Sequence, residues 1–223
     1  MADIVALLDT VRKKAERQLP ASPRYDRMMQ RLAVLREKYA AMPPPADDCA
    51  AALSLVERTK RLLAASKFGE AEFDAILRHA SAAWYDLAGV RWPYQWYVRC
   101  FFVSTIGFFL LAPQFFPAIL ALIFIVPVFV GLKGLKARTL NGFTLTAMIY
   151  PVALLSATTA ARSFWGAIFG DLAGFAAGLA QTYHIATSTV EILVVVFALI
   201  AAITIPAALA GAFLGFRYRD MFV

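Results

Sequence analysis

Most of the charge in this sequence lies in its first 93 residues, and this asymmetry constrains the fold more than any other feature. Residues 1–93 contain 15 Lys/Arg and 12 Asp/Glu, whereas the remaining 130 residues contain seven and three. The chain is 61% hydrophobic and 17% charged, against about 25% charged residues in soluble domains. An apolar segment this long fits a lipid bilayer. The sequence therefore predicts a water-exposed part followed by a membrane part.

The first 90 residues predict four short amphipathic helices that form a cytoplasmic bundle. Helix-start signals separate them: Ser22 followed by Pro23, then Asp47 or Asp48, then Gly69. Connections of a few residues make such helices antiparallel neighbours. The predicted apolar faces consist of Ile4, Leu7, Leu8, Val11, Met28, Leu32, Leu35, Tyr39, Leu53, Val56, Leu62, Leu63, Phe73, Ile76, Leu77, Ala80 and Trp84.

The third of these helices has charged residues on the side opposite its apolar face. They are Glu57, Arg58, Lys60 and Arg61. The first 90 residues as a whole are interpreted either as a packed bundle or as a platform that docks a partner protein in the cytoplasm. Basic and acidic residues alternate along the first part of the chain, so a nucleic-acid-binding function is not predicted.

The apolar stretches of the membrane part predict four membrane-spanning helices. About 20 helical residues are needed to cross about 30 Å of hydrocarbon. The all-α fold predicted here therefore combines a bundle at 1–90 with a membrane domain at 91–223. A five-span alternative treats residues 163–182 as a further crossing. The four predicted spans are 97–112, 117–135, 140–157 and 192–216.

The basic residues of the membrane part predict its orientation. In the four-span arrangement, seven cations lie on one side of the membrane and Arg162 lies on the other. Because cations concentrate in cytoplasmic loops, both termini are predicted to be cytoplasmic. The Ala- and Arg-rich composition favours a bacterial inner membrane. The residues expected at the membrane–water interface are Trp92, Trp96, Tyr97, Lys133, Lys136, Arg138, Arg217 and Arg219.

Four glycines recur at every fourth position between the third and fourth spans. Residues 163–180 are predicted to form one helix that either re-enters the membrane or lies at its surface. On such a helix the glycines form a groove without side chains, which allows close packing of another helix. The groove predicts a contact between copies of the chain, hence a homo-oligomer. The four residues are Gly166, Gly170, Gly174 and Gly178.

A polar cluster surrounds the end of this predicted helix. Ionisable groups at membrane depth are candidates for function, and hydroxyls and carbonyls can line a path for a dehydrated ion. The alternative interpretation is that these side chains lie at headgroup level, in contact with water. The cluster consists of Asp171, Thr182, Tyr183, His184, Thr187, Ser188, Thr189 and Glu191.

Three functions follow as hypotheses. The first is a homo-oligomeric pore for small cations, lined by the polar cluster. The alternative is a non-catalytic accessory or scaffold subunit of a membrane complex, whose residues 1–90 dock a cytoplasmic partner. A membrane enzyme using Asp171, His184 and Glu191 ranks last, because a zinc site needs three or four protein ligands. No catalytic residue, metal or cofactor is therefore predicted.

Overall fold

The computed structural model describes residues 2–43, 50–64 and 68–223, and most of these residues are helical. No strand occurs among them, so the all-α prediction is confirmed. A short 3-10 turn, Arg219–Met221, follows the last helix. The α-helices are α1 (Ala2–Gln18), α2 (Pro23–Ala40), α3 (Ala50–Ala64), α4 (Glu70–Leu87), α5 (Trp92–Phe115), α6 (Ala118–Lys136), α7 (Leu140–Ala147), α8 (Ile149–Phe169), α9 (Leu172–Tyr183) and α10 (Thr187–Arg217).

The chain divides into two compact units. The N-terminal unit comprises Met1–Trp92 together with Asp220–Val223, and the membrane unit comprises Pro93–Arg219. The sequence analysis assigned all of residues 91–223 to the membrane domain. It did not anticipate that residues 220–223 belong with the first unit.

Helices α1–α4 of the N-terminal unit share one hydrophobic core. The predicted apolar face of α2 is buried in it, and the hydroxyl of Tyr39 donates a hydrogen bond to the Ala80 carbonyl of α4 at 2.7 Å. Burial raises the pKa of Tyr39 above its ordinary value, so this hydroxyl stays protonated as a donor. The buried residues of α2 are Met28, Leu32, Leu35 and Tyr39.

Two predicted helix starts are confirmed by capping hydrogen bonds. Ser22 Oγ accepts from the backbone N–H of Tyr25 at 3.1 Å at the start of α2. Gly69 precedes α4, and its N–H donates to Glu72 Oε2 at 2.9 Å. Such bonds satisfy amides that lack a partner within the helix. The two aspartates predicted to start the third helix, Asp47 and Asp48, lie outside the described residues.

Helix α3 turns most of its predicted apolar residues to the core, with one exception. The predicted Val56, Leu62 and Leu63 pack against the core, whereas Leu53 is 60% exposed. Leu55 and Thr59 are buried in its place. A face centred on positions 55 and 59 covers more apolar residues than a face through Leu53.

Residues 220–223 pack into the N-terminal unit. Asp220 Oδ1 accepts a hydrogen bond from Arg31 Nη2 of α2 at 2.8 Å. Met221 and Phe222 are only 2% and 3% exposed. The chain therefore passes between the two units twice, once before α5 and once after α10.

Three segments of the membrane unit are long and apolar enough to cross a bilayer: Trp92–Phe115, Leu140–Phe169 and Thr187–Arg217. The chain is therefore compatible with a multi-pass membrane protein. Helix α6, with 19 residues, coincides with the predicted span 117–135. The predicted span 140–157 lies within the apolar segment Leu140–Phe169, in which α8 continues to Phe169.

Contacts between aromatic rings, and contacts at one glycine, show in which direction the helices of the membrane unit run relative to one another. Phe164 of α8 contacts Phe115 of α5 and Phe197 of α10, with ring centroids 5.5 and 5.7 Å apart. Towards the other end of α10, Gly215 lies against Tyr97 near the start of α5. Helices α5 and α8 are thus antiparallel to α10. From Phe197 to Arg217, α10 rises about 30 Å, which matches the hydrocarbon thickness.

The prediction of one helix over residues 163–180 is wrong. The backbone breaks at Gly170, which has φ −101° and ψ −98°. Asp171 then caps the new helix α9, because its Oδ1 accepts a hydrogen bond from the Gly174 backbone N–H at 2.9 Å. Asp is a strong N-cap residue. Gly166 consequently lies on α8, whereas Gly174 and Gly178 lie on α9.

Candidate functional site

The predicted polar cluster lies at the two ends of α9 and at the start of α10. Asp171 caps the first turn of α9, and Tyr183 is its last residue. A helix of 12 residues is about 18 Å long. Asp171 is therefore separated along α9 from the group that begins at Thr182, and α9 does not gather all the cluster residues at one point.

The turn between α9 and α10 holds the rest of the cluster. His184 adopts the left-handed conformation, with φ 55° and ψ 42°, and ends α9. Thr182 donates its hydroxyl to the Gly178 carbonyl at 3.0 Å, so it is engaged within its own helix. Glu191 is half-buried, whereas the other cluster residues are exposed. The residues exposed around this turn are Thr182, Tyr183, His184, Thr187, Ser188 and Thr189.

The metal-ligating side chains of the described ranges do not converge. No group of three His, Cys, Asp or Glu residues that could hold a metal ion occurs among them.

The predicted packing glycines are not the ones that pack within the chain. A Cβ added to Gly166 or Gly178 would meet no other atom within 4 Å. A Cβ on Gly107 would lie 2.0 Å from Thr204 Oγ1, and one on Gly211 would lie 2.3 Å from the Tyr150 ring. The contacts that bring α5 and α8 close to α10 depend on glycines that the sequence analysis missed. The Gly211 and Gly215 pair, four residues apart on the last span, was the signal that could have found them.

The predicted interface residues gather near the start of α5. Tyr94 donates its hydroxyl to the Leu135 carbonyl at 3.2 Å, which brings the basic end of α6 to this level. The Arg138 guanidinium lies 4.9 Å from the Tyr94 ring. Lys133 and Lys136 lie in the last turn of α6, and Arg217 in the last turn of α10, followed by Arg219. We call this region the basic end of the membrane unit.

The three aromatic residues predicted at the interface differ in burial. Trp92 and Trp96 are about half exposed, whereas Tyr97 is only 2% exposed. The Tyr97 hydroxyl shares a 2.9 Å hydrogen bond with Thr146 Oγ1. Tyr97 therefore packs inside the membrane unit, while the two tryptophans are available to the membrane surface.

The outer face of α3 is a second candidate site. Its exposed residues include three cations, Arg58, Lys60 and Arg61, together with Leu53 and one anion, Glu57. Basic residues of α1, α2 and α4 form ion pairs, for example Arg36 with Asp9 at 2.7 Å. Within the described part of the chain, no ion pair is found for the cations of α3. We call these five exposed residues, in which cations outnumber the single anion, the basic face of α3.

The electrostatics of α4 are consistent with an excess of positive charge beside this face. Burial, followed by the nearby charges of Arg58 and Arg78, lowers the pKa of His79 to about 4. His79 is therefore neutral at physiological pH. Arg58 of the basic face therefore lies close enough to α4 to disfavour a positive charge on His79.

Comparison with known proteins gives no relative for this chain. No protein-family model, curated protein or solved structure matches it.

Proposed function

We propose that the protein is a non-catalytic membrane subunit that docks a partner protein through the basic face of α3. The membrane unit anchors the chain, and the N-terminal unit offers the docking surface. The partner surface is mainly acidic with an apolar part, since it has to complement a face with three cations, one anion and the exposed Leu53.

The basic face of α3 is the observation that carries this proposal. Three cations and Glu57 are exposed on a 15-residue helix, and Leu53 of the same helix is 60% exposed. Arginines around an exposed apolar side chain are typical of protein interfaces. Charge complementarity at such a surface speeds association and excludes wrong partners.

The return of residues 220–223 supports a common side for both ends of the chain. Asp220 is bonded to Arg31 within the N-terminal unit, and a chain whose two ends share one side of a membrane would cross it an even number of times. This favours the four-span arrangement over the five-span alternative. With the cations of the basic end facing the cytoplasm, the N-terminal unit is cytoplasmic and accessible to a soluble partner.

A photo-crosslinking experiment tests the docking proposal. A benzophenone amino acid replaces Leu53 in the full chain, and adducts are identified by mass spectrometry in cells. We expect one dominant protein adduct with an acidic contact surface. Arg58→Glu combined with Arg61→Glu is expected to reduce it at least tenfold.

The matched control carries the same charge change on another helix. Lys13→Glu combined with Arg17→Glu alters two exposed residues of α1 and is expected to leave the adduct unchanged. Adducts formed only with lipid, or a protein adduct that both double variants weaken equally, would contradict docking on α3.

A homo-oligomeric pore for small cations is the second candidate, and the exposed cluster at the α9–α10 turn favours it. Thr187, Ser188 and Thr189 are all exposed in the first turn of α10, and Glu191 comes two residues after Thr189. Several copies around an axis would place these side chains around a path.

Ion flux through proteoliposomes tests this candidate. A pore lined by the cluster loses cation selectivity in Glu191→Gln, whereas Glu16→Gln on α1 serves as a charge-matched control. If neither the wild-type chain nor the variants conduct, the pore is excluded and the docking function stands alone.

A further inference from the structure

The membrane unit has an apolar groove near its basic end, between α7–α8 and α10. Its volume is about 380 Å³, within the range of about 300–1,000 Å³ that accommodates small ligands. Tyr150, Pro151 and Leu154 line one wall, and Leu209, Ala212 and Phe216 line the other.

Two glycines give the groove its floor. Gly211 and Gly215 of α10 are buried against the rings of Tyr150 and Tyr97. Because neither glycine has a side chain, the two rings pack directly against α10 and close the floor of the groove. Ala212 and Phe216 at its mouth are exposed.

The two tyrosines that line the groove use their hydroxyl groups in hydrogen bonds within the protein. The Tyr97 hydroxyl is bonded to Thr146 Oγ1 at 2.9 Å. The Tyr150 hydroxyl donates to the Tyr97 carbonyl at 3.2 Å. A polar ligand would lose its hydrogen bonds with water on entering this groove, so the occupant has to be apolar along the buried part.

The depth of the groove matches one leaflet of a bilayer. Its lining on α10 extends from Ala208 to Phe216, which spans about 12 Å at about 1.5 Å per residue. One leaflet of hydrocarbon is about 15 Å deep, half of the bilayer core. The groove begins at the basic end and stops near the middle of the membrane.

Positive charge lies directly beyond the outer end of the groove. Arg217 follows Phe216, and Arg219 comes two residues later; both are exposed. Basic pockets between membrane helices on the cytoplasmic side bind anionic lipid headgroups. Arginine suits phosphate in particular, because its planar guanidinium can donate two parallel hydrogen bonds.

We propose that this groove binds one acyl chain of an anionic phospholipid, whose phosphate contacts Arg217 or Arg219. The inference does not rest on the docking function of α3. It assigns to the membrane unit a lipid site on the leaflet that faces the basic end. The part of the acyl chain that fits into the groove is no longer than one leaflet is deep. A transmembrane helix from a second copy of the protein would be longer than the groove.

Retention of lipid by the purified chain tests the proposal. The full chain is extracted in detergent and incubated with either phosphatidylglycerol or phosphatidylcholine, and retained lipid is counted by native mass spectrometry. We expect one phosphatidylglycerol per chain and at least tenfold less phosphatidylcholine. Arg217→Gln combined with Arg219→Gln is expected to abolish this preference.

Filling the groove provides the second arm. Ala212→Trp places a bulky side chain at the exposed mouth and is expected to reduce retention at least tenfold. Ala210→Trp is the matched control, since Ala210 is also exposed but does not line the groove. Ala212→Leu is a smaller second variant, expected to show the same loss, should the tryptophan variant fail to fold.

Three outcomes would overturn the proposal. They are retention that is equal in Ala212→Trp and Ala210→Trp, retention that does not depend on headgroup charge, and dissociation of a dimer by Ala212→Trp. The last result would identify a second copy of this chain as the occupant.

Discussion

At the scale of single residues, the glycines that stabilise the membrane unit are those that allow a side chain of another helix to pack directly against their backbone. Gly107 of α5 admits Thr204 of α10, and Gly211 and Gly215 admit Tyr150 and Tyr97 in the same way. Spacing alone could not identify them, because Gly166 and Gly178 follow an equally regular spacing and meet nothing. The difference depends on which residue of another helix lies opposite.

We expect Gly107→Ala to destabilise the membrane unit by about 1–3 kcal/mol, the usual cost of overpacking. The added Cβ would lie 2.0 Å from Thr204 Oγ1 and 2.9 Å from Thr204 Cβ, so one helix has to move. The thermal midpoint in detergent measures the effect. Gly178→Ala is the control and is expected to be neutral or stabilising, since it adds a better helix former in open space.

The side chain of His79 makes the stability of the N-terminal unit depend on pH. Its pKa is lowered to about 4 by burial and then by Arg58 and Arg78, whereas the unfolded value is about 6.5. Below pH 6.5 the unfolded state takes up a proton that the folded state does not, so stability falls as pH decreases from about 6.5 to 4. We expect the thermal midpoint of His79→Gln to fall less than that of the wild type between pH 7 and pH 5. Equal losses would show that His79 does not contribute.

At the scale of elements, the sequence was informative where one helix carries its own signals. Ser22 and Pro23 fix the start of α2, and a regular apolar spacing fixes its buried face. The same reasoning misplaced one residue of α3, Leu53, because Leu53 and Leu55 both fit an apolar stripe and the choice between them depends on the other helices. The charged side of α3 was predicted. The sequence could not show that its cations form no ion pair among the described residues, because ion pairs depend on which helices lie nearby.

The break between α8 and α9 also needed tertiary information. A glycine every four residues favours one straight helix, whereas Asp171 favours the start of a new one. The sequence analysis gave the glycine spacing more weight, and it treated Asp171 as a pore residue although aspartate is also a common N-cap.

We expect the two roles of Asp171 to separate on substitution. Asp171→Asn keeps a side-chain acceptor for the Gly174 N–H, so the start of α9 is preserved. Asp171→Ala removes the cap and is expected to cost about 1 kcal/mol of stability, measured as a lower thermal midpoint. If Asp171→Asn changes ion flux while stability is unchanged, the charge itself is functional, and the capping role alone does not account for this residue.

At the scale of the whole molecule, the division into a charged part and an apolar part was predictable from composition. The return of residues 220–223 was not, because four residues after a span give no periodic signal. Met221 and Phe222 are nevertheless among the most buried side chains of the N-terminal unit, and they connect the end of α10 to that unit.

We expect Phe222→Ala to destabilise the N-terminal unit by about 3 kcal/mol, the lower range for a buried aromatic residue. Asp220→Ala is the contrasting variant. Its ion pair with Arg31 is half exposed, with 49% of the Asp220 side chain accessible, and such pairs contribute about 0–1 kcal/mol. Urea unfolding in detergent compares the two. A larger loss for Asp220→Ala would mean that the ion pair, and not apolar burial, holds residues 220–223 in place.

Native mass spectrometry of the chain, extracted gently from its own membrane without overexpression, tests the docking function most directly. We expect to detect this chain in a complex with a different subunit, in a fixed ratio. That subunit should be lost in Arg58→Glu combined with Arg61→Glu, and retained in Lys13→Glu combined with Arg17→Glu. A closed ring that contains only this chain and that conducts cations after reconstitution would contradict it.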